Sequence, residues 1–367
     1  MYLASIPDVL ISGIRRGRTR NRLTFAAVCV IVMAVFLQGA FGQFHWTRCP
    51  QNPVMPGESL LGWDSHHVLH PSVIHKDGIY HMWYRGWSEY WVGTMASIGY
   101  AISIDGVKWF RYARNPVITG EFADWTNKNA DNPAVSLIDG QYVMLFNTGT
   151  YGKHIGLATS QDGMTWSTYP NPVISVGDSG AWDGYALDGS SSIIKWQGTY
   201  WTWYVGLRST GGSIGVATST NLTDWSKSPD SPVLTPGDSS SWERTSVTGP
   251  EVFLCGDRLE MLYAGASGER QYIGRAVSED GIHWTKAHEN PVFLPGDPGS
   301  WDSTRVGAPS VVISRDRFLM WYAGGNGYDW RVGLATSPIP HDLCASLHES
   351  VQFGTDTAVT GARVSDR

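Results

Sequence analysis

The 367-residue chain carries 27 Lys+Arg against 33 Asp+Glu, a net charge of −6, with 16% charged and 42% hydrophobic residues. That balance excludes a polycationic nucleic-acid reader and a disordered chain. Eighteen Trp, 16 Tyr and 11 Phe beside 42 Gly and 19 Pro describe many short aromatic strands joined by tight turns rather than long helices. In chain order, Arg15, Arg16, Arg18, Arg20 and Arg22 come first, followed by an apolar run from Leu23 to Leu37 that is short for a membrane span. Ala40-Phe41-Gly42 then offers small residues where a signal peptidase reads. Residues 1–42 are therefore expected to be an export signal cut before Gln43, the alternative being an uncleaved anchor. Either places the body outside the cytoplasm, secreted or periplasmic, with that segment as its sole membrane contact.

The rest of the chain is repetitive. A motif Ile/Val-Gly-x-Ala-x-Ser recurs at Ile98, Ile155, Ile214, Ile273 and Val332, at spacings of 57, 59, 59 and 59 residues. An aromatic strand ending in Gly precedes each motif, as in Tyr80 to Gly86 and Tyr200 to Gly206. A Trp and a Pro-Val pair follow the first four motifs, and each unit opens with a further Trp, at 63, 125, 182, 242 and 301. Eight residues beyond these lie Pro71, Pro133, Ser190, Pro250 and Pro309, each in a short apolar strand. Every unit thus holds four short strands with turn residues between, the content of one propeller blade. The expected fold is all-β: a five-bladed β-propeller over residues 43–344, followed by a polar, aperiodic tail over 345–367.

The first unit begins at its inner strand and the fifth lacks its last strand. Trp46 to Val54 supplies the missing pattern, so this N-terminal strand is expected to complete blade five and close the ring. Cys49 lies on that strand and Cys344 just beyond the third strand of blade five. A Cys49–Cys344 disulfide would staple the two ends in an oxidising compartment, the alternative being free thiols. Cys255, within an apolar strand, reads as a small core residue.

These blades, with Pro-Ser-Val-Ile and Met-Trp-Tyr strands and Asp-Gly-x-x-Trp turns, resemble the five-bladed propeller glycosidase superfamily. It includes arabinanases, xylosidases, invertases, levansucrases and the mannoside phosphorylases of glycoside hydrolase family 130. The turns at Asp105-Gly106, Asp162-Gly163 and Asp280-Gly281 also resemble the Asp-box of sialidases, but recurrence in several blades marks turn chemistry.

Function should instead lie where the repeat breaks, at the positions six to nine residues after each opening Trp, which begin the inner strands beside the central channel. Position six reads Leu69, Asp131, Asp188, Thr248 and Gly307; position seven reads His70, Asn132, Gly189, Gly249 and Ala308. At position nine Glu251 stands where other blades have Ser or Ala. The resemblance implies Asp131 as base, Asp188 as pKa-tuning carboxylate and Glu251 as acid, a set suited to glycoside hydrolysis of the inverting type. His70 stands where the superfamily's first Asp is expected, and is itself expected to face the channel as a sugar or anion ligand. Asp64, Asp183, Glu243 and Asp302, recurring after the opening Trp, read as structural.

The remaining loops of that face carry aromatic and basic residues expected to bind sugar or an anion: Arg85, Trp87 and Glu89; Arg208; Arg244; Glu269 and Arg270; Arg305; Asn326, Tyr328 and Asp329. His66, His67 and His70 cluster without zinc-type spacing, so no metal site is expected there. No cofactor is expected beyond a structural calcium that the central channel could hold. The expected partner is an oligo- or polysaccharide and the expected state a monomer. Two other functions stay open: a phosphorylase acting with an anion on the same fold, and a noncatalytic glycan-binding propeller.

Overall fold

The computed structural model describes residues 43–57, 62–89, 96–149, 152–314 and 316–340. The export signal, Cys29, Cys344 and the polar tail lie outside the described residues. Among those described, the structure is all-β apart from a 3-10 turn at Asp124–Thr126. No helix is long and apolar enough to cross a membrane.

After the short β1 (Thr47–Arg48) the strands fall into antiparallel sets. The first is β2 (His67–Lys76), β3 (Ile79–Trp87), β4 (Ser97–Ser103) and β5 (Phe110–Arg111). The second is β6 (Ala130–Ile138), β7 (Gln141–Thr148) and β8 (His154–Ser160), with β9 (Ser167–Thr168) and β10 (Ile174–Ser175) both paired to β8. In the third, β11 (Ala186–Ser190) and β12 (Ile194–Trp196) both pair β13 (Thr199–Arg208), which pairs β14 (Gly211–Ser219) and then β15 (Ser226–Lys227). The fourth is β16 (Ser246–Cys255), β17 (Arg258–Ser267), β18 (Arg270–Ser278) and β19 (Thr285–Lys286). The last is β20 (Arg305–Ile313), β21 (Arg317–Gly325) and β22 (Trp330–Pro338), whose outer edge is taken by β1 with Thr47 opposite Thr336.

Three recurring devices hold these sets. The opening Trp lies flat over the middle of its sheet, which is why Gly recurs there: a Cβ on Gly86 would stand 2.2 Å from the Trp63 ring, and one on Gly99 2.7 Å from it. Next, the carboxylate after that Trp is buried and takes a base from the outermost strand. Asp64 accepts from Arg111 Nε at 3.0 Å, Asp183 from Lys227 at 2.6 Å, Glu243 from Lys286, and Asp302 from Arg48 Nε at 2.9 Å. The second-strand tyrosines Tyr84, Tyr204 and Tyr322 donate to the three aspartates. The second set replaces the whole device at once, with Thr126, Phe146 and Thr168 at the three positions.

The third device joins one set to the next. Trp83 Nε1 donates to Gly163 O at 2.8 Å, Trp203 to Gly281 O at 2.8 Å and Trp321 to Gly106 O at 2.9 Å. Each acceptor is the glycine of an Asp-Gly turn in the following set, and Trp321 reaches from the last set to the first. Where Leu145 replaces the Trp, the turn ahead has Leu222 in place of the glycine. The core is correspondingly divided among the contacts between successive sets, one cluster joining Val68, Met82 and Tyr84 to Trp321 and Val332. The first strands also touch in cyclic order: β2 with β6, β6 with β11, β11 with β16, β16 with β20 and β20 with β2.

The cysteine expectation is corrected. Cys49 is a free thiol whose Sγ donates to Gln51 Oε1 at 2.9 Å, so it forms no Cys49–Cys344 staple. Cys255 is the disulfide-bonded cysteine, its partner lying outside the described residues. Its β16 strand packs in the cluster that holds Phe44 and Ile339, near the two ends of the described chain. The Cys49 strand is instead held by backbone pairing, with Cys49 N donating to Leu334 O at 2.8 Å.

Candidate active site

All five inner strands break register around position seven: four of them between positions six and nine of the unit, and β11 between Leu187 and Ser190, positions five and eight. Position seven is left-handed throughout, with φ of 49° at His70, 46° at Asn132, 83° at Gly189, 53° at Gly249 and 44° at Ala308. The residue is a bulge, and it re-aims the side chain before it. Variation at position seven therefore reflects first the need for a left-handed backbone, which Gly and Asn meet most readily.

Position six is where the bulge matters chemically. Asp131 and Asp188, from successive inner strands, line one open cleft of about 550 Å³ together with Arg85, Trp87 and Asn147. Arg85 Nε stands 3.0 Å from Asp131 Oδ1. Asn132 donates its backbone N–H to Asp131 Oδ1 at 2.7 Å and its side-chain Nδ2 to Asp188 Oδ1 at 2.9 Å. Burial raises the pKa of Asp131, Arg85 opposes the rise, and the Asp188 charge adds to it. Burial raises Asp188 as well, against Arg85 and the Asn132 hydrogen bond.

Glu251 is placed differently. It lines a narrow channel bordered by all five inner strands, with His70 and Asp188, where the room is about 30 Å³, enough for a water molecule or two and far too little for a sugar. Its Oε1 accepts from Val311 N at 3.0 Å. Ser72 and Ser310, at the same position in their units, accept likewise from Val135 N at 2.9 Å and Val73 N at 3.0 Å. Glu251 thus makes a link between inner strands that Ser makes elsewhere. Burial pushes its pKa up to about 8, against the Val311 N–H, so its charge cause is not a neighbouring carboxylate. The unfolded chain releases this proton near 4.5, so stability falls as pH rises from about 4.5 through 8. Glu251→Gln keeps the acceptor and removes the titration. In urea titrations it should match the native protein near pH 4 and exceed it at pH 8 by on the order of 4 kcal/mol. A gap that does not change with pH would refute this role.

His70 also faces the channel rather than the cleft, and burial with nearby Arg85 lowers its pKa to about 3. Both effects favour the neutral imidazole, and its place on the channel is the one expected of it. His67 stacks on Trp87 at 5.1 Å and 15°, while His66 meets the same ring edge-on at 6.0 Å. Two of the clustered histidines therefore hold Trp87 at the rim. Among the described residues no group of three His, Cys, Asp or Glu is arranged to hold a metal ion.

Arg208, Arg244, Arg270 and Asn326 are exposed, and none of them is among the residues lining the cleft. Arg305 lies outside that lining too, its Nε donating to Glu269 O at 2.9 Å. Asn326 caps its own loop, accepting from Tyr328 N at 3.1 Å. Sequence reasoning did not single out Asn147, which donates Nδ2 to Leu187 O at 3.0 Å and accepts from Gly189 N, fixing the strand that carries Asp188. Asn147 stands where the first set has Arg85 and the other second strands have Val205, Ala264 and Ala323, so the same break-in-the-repeat signal was present one strand away.

No protein-family model matches the chain. A β-1,2-mannobiose phosphorylase of a Thermoanaerobacter species is 29% identical over 122 residues, 30% of this chain and 39% of that protein. An uncharacterised Mycobacterium tuberculosis protein is 36% identical over 106 residues, 28% of this chain and 34% of that protein. The chain spans little more than a third of the length of these curated relatives. Among solved structures, a glycosyl hydrolase from Bacteroides ovatus superposes with a TM-score of 0.65 at 20% identity, covering 80% of this chain and 94% of that one. A structure described with the family 130 mannoside phosphorylases and hydrolases gives 0.66 at 21% identity, covering 83% and 98%. A thermostable family-43 glycoside hydrolase gives 0.58 at 19% identity, covering 73% and 88%. With its repeated antiparallel sets and these neighbours, the chain has the fold of the propeller glycoside hydrolases, the superfamily that its repeat resembles.

Proposed function

We propose that this protein is an exported, carbohydrate-cleaving enzyme, a closed five-bladed propeller with β1 completing the last blade, in which Asp131 and Asp188 act as acid and base on a glycosidic bond. The observation that carries the reading is the meeting of these two half-buried carboxyl groups in one open cleft, beside Arg85 and Trp87. The cyclic contacts of the inner strands and the Trp321–Gly106 bond support the closed ring.

Asp188 is the group favoured as carboxylate, since its charge raises Asp131 whereas no carboxylate charge raises Asp188, and this keeps the proton on Asp131. Asp131 then gives that proton to the leaving oxygen as its bond to the anomeric carbon breaks. Water adds to the anomeric carbon and passes its proton to Asp188; exchange with solvent restores both groups. This exchanges the roles implied by the superfamily order, in which Asp131 is base and Glu251 acid. Trp87 offers a flat face to the apolar side of a pyranose.

A second reading, phosphorolysis, is favoured by one observation. Arg85 Nε is buried close to Asp131 without an aligned hydrogen bond, leaving guanidinium donors for a phosphate. The phosphorylase among the relatives agrees with it. The test is product analysis of the purified protein on aryl glycosides, plant and microbial polysaccharides and β-1,2-mannobiose, with and without phosphate. Free sugar without phosphate is the expected result. Sugar 1-phosphate formed only with phosphate would establish the second reading, and no turnover in either condition would overturn the enzyme reading in favour of a glycan-binding module.

A further inference from the structure

We propose that Asn132 is a positioning and specificity residue: it ties the Asp131 and Asp188 carboxyl groups into one unit and presents its amide oxygen to a hydroxyl group of the bound sugar. The inference rests on the reading of the cleft as a glycan-cleaving site and adds to it which kind of ligand atom the cleft requires.

Asn132 borders both the cleft and the channel and is only 5% exposed. Its two donors toward the carboxyl groups are committed, the backbone N–H to Asp131 and Nδ2 to Asp188. An ionised carboxylate only accepts, so the amide nitrogen must face Asp188 and the oxygen must face away from it. That oxygen is buried and has no hydrogen-bond partner among the described residues. A buried acceptor left unmet is unfavourable, and polar groups so placed are generally met by water or ligand. A sugar hydroxyl is the donor that a glycan brings into such a cleft. An ether oxygen or a deoxy position cannot donate, so a glycan lacking that hydroxyl leaves the acceptor unmet and is rejected.

The backbone explains why Asn serves here. The position is left-handed, with φ of 46°, a conformation Asn tolerates better than most residues. Gly189 lies against the side chain: a Cβ there would come 3.2 Å from the Asn132 Cβ and 3.3 Å from its Nδ2. The missing Cβ leaves the amide its room. The corresponding residues His70, Gly189, Gly249 and Ala308 offer no side-chain amide that donates with one end and accepts with the other.

Asn132→Gly is the deciding variant, because glycine keeps the left-handed backbone and the N–H to Asp131 while removing the amide. On the glycan that the native protein cleaves, kcat/KM should fall about 100-fold, with the melting temperature changed by no more than a few degrees. Across a series of monodeoxy glycans the native protein should discriminate strongly at one hydroxyl and the variant should not. Carboxyl NMR titration should show the Asp188 pKa higher in the variant, since a donor to its ionised form is lost. Native kcat/KM with an unmoved Asp188 titration would overturn the proposal. If the native protein cleaves nothing, the enzyme reading fails by itself. The titration then still decides the link to Asp188, and glycan binding by the monodeoxy series decides the hydroxyl contact, absence of any glycan binding refuting it.

Discussion

Asp131→Asn should lower kcat/KM by about 10³-fold with little change in affinity for the intact glycan. The amide fills the same space but has no proton to give the leaving oxygen at the moment its bond breaks. The accompanying pH profile is the sharper measurement. In the native enzyme activity should disappear on the alkaline side as pH rises through the Asp131 pKa, which burial and the Asp188 charge raise above the usual carboxylate range. The acid limb should report the loss of the Asp188 carboxylate. The Asn variant should lose the alkaline limb from whatever activity remains. A variant of near-native rate, or one whose alkaline limb is unmoved, would remove Asp131 from the reaction. Glu251→Gln provides the contrast, since a side chain confined to the narrow channel should leave turnover on the native scale.

A second large effect concerns stability. Asp302 is 1% exposed and accepts from Arg48 Nε at 2.9 Å and Tyr322 OH at 3.0 Å. Arg48 also lies over the Phe293 ring at 4.3 Å, so one guanidinium joins β1 to Asp302 of the last set and to the fourth set. Asp302→Ala leaves that buried cluster without its anion and should cost about 3 kcal/mol, seen as a fall in melting temperature of roughly 6–12 °C in calorimetry. Because the lost carboxylate is the one that holds β1, trypsin should cut at Arg48 sooner in the variant. Phe146→Tyr is the informative companion: the second set has Thr126 and Thr168 in place of acid and base, so its new hydroxyl gains no carboxylate. If Asp302→Ala melts with the native protein, the buried ion pair is not what secures this strand.

Much of the fold was legible because the recurring residues do the same work in most units. The Gly of four motifs is set by a Trp ring lying on it, with Phe146 against Gly156 in the second set, and the pattern at Trp46 to Val54 anticipated the pairing of β1 with β22. The site was legible in part. Asp131 and Asp188 broke the repeat at one position and do share a cleft. Glu251 broke it equally, yet its carboxylate replaces a serine hydroxyl in a structural link, and spacing alone does not reveal which way an acceptor points. The bulge at position seven was hidden for a related reason. His, Asn, Gly and Ala share no side-chain chemistry, and what unites them is a backbone angle. The cysteines were misjudged because position near two chain ends does not determine which thiols face one another.

The pairing of Thr47 with Thr336 also dictates an order of events during biosynthesis. The first of the described strands to leave a ribosome or a translocation pore finds its partner only after nearly all the other described strands have emerged. Until then β22 presents an unprotected flank on which a neighbouring molecule's extended segment can add. Maturation should therefore be slow and cooperative, with its last step governed by a contact that spans almost the whole described chain. Holdase chaperones that shield such a flank should raise the yield of folded protein more than catalysts of any local step.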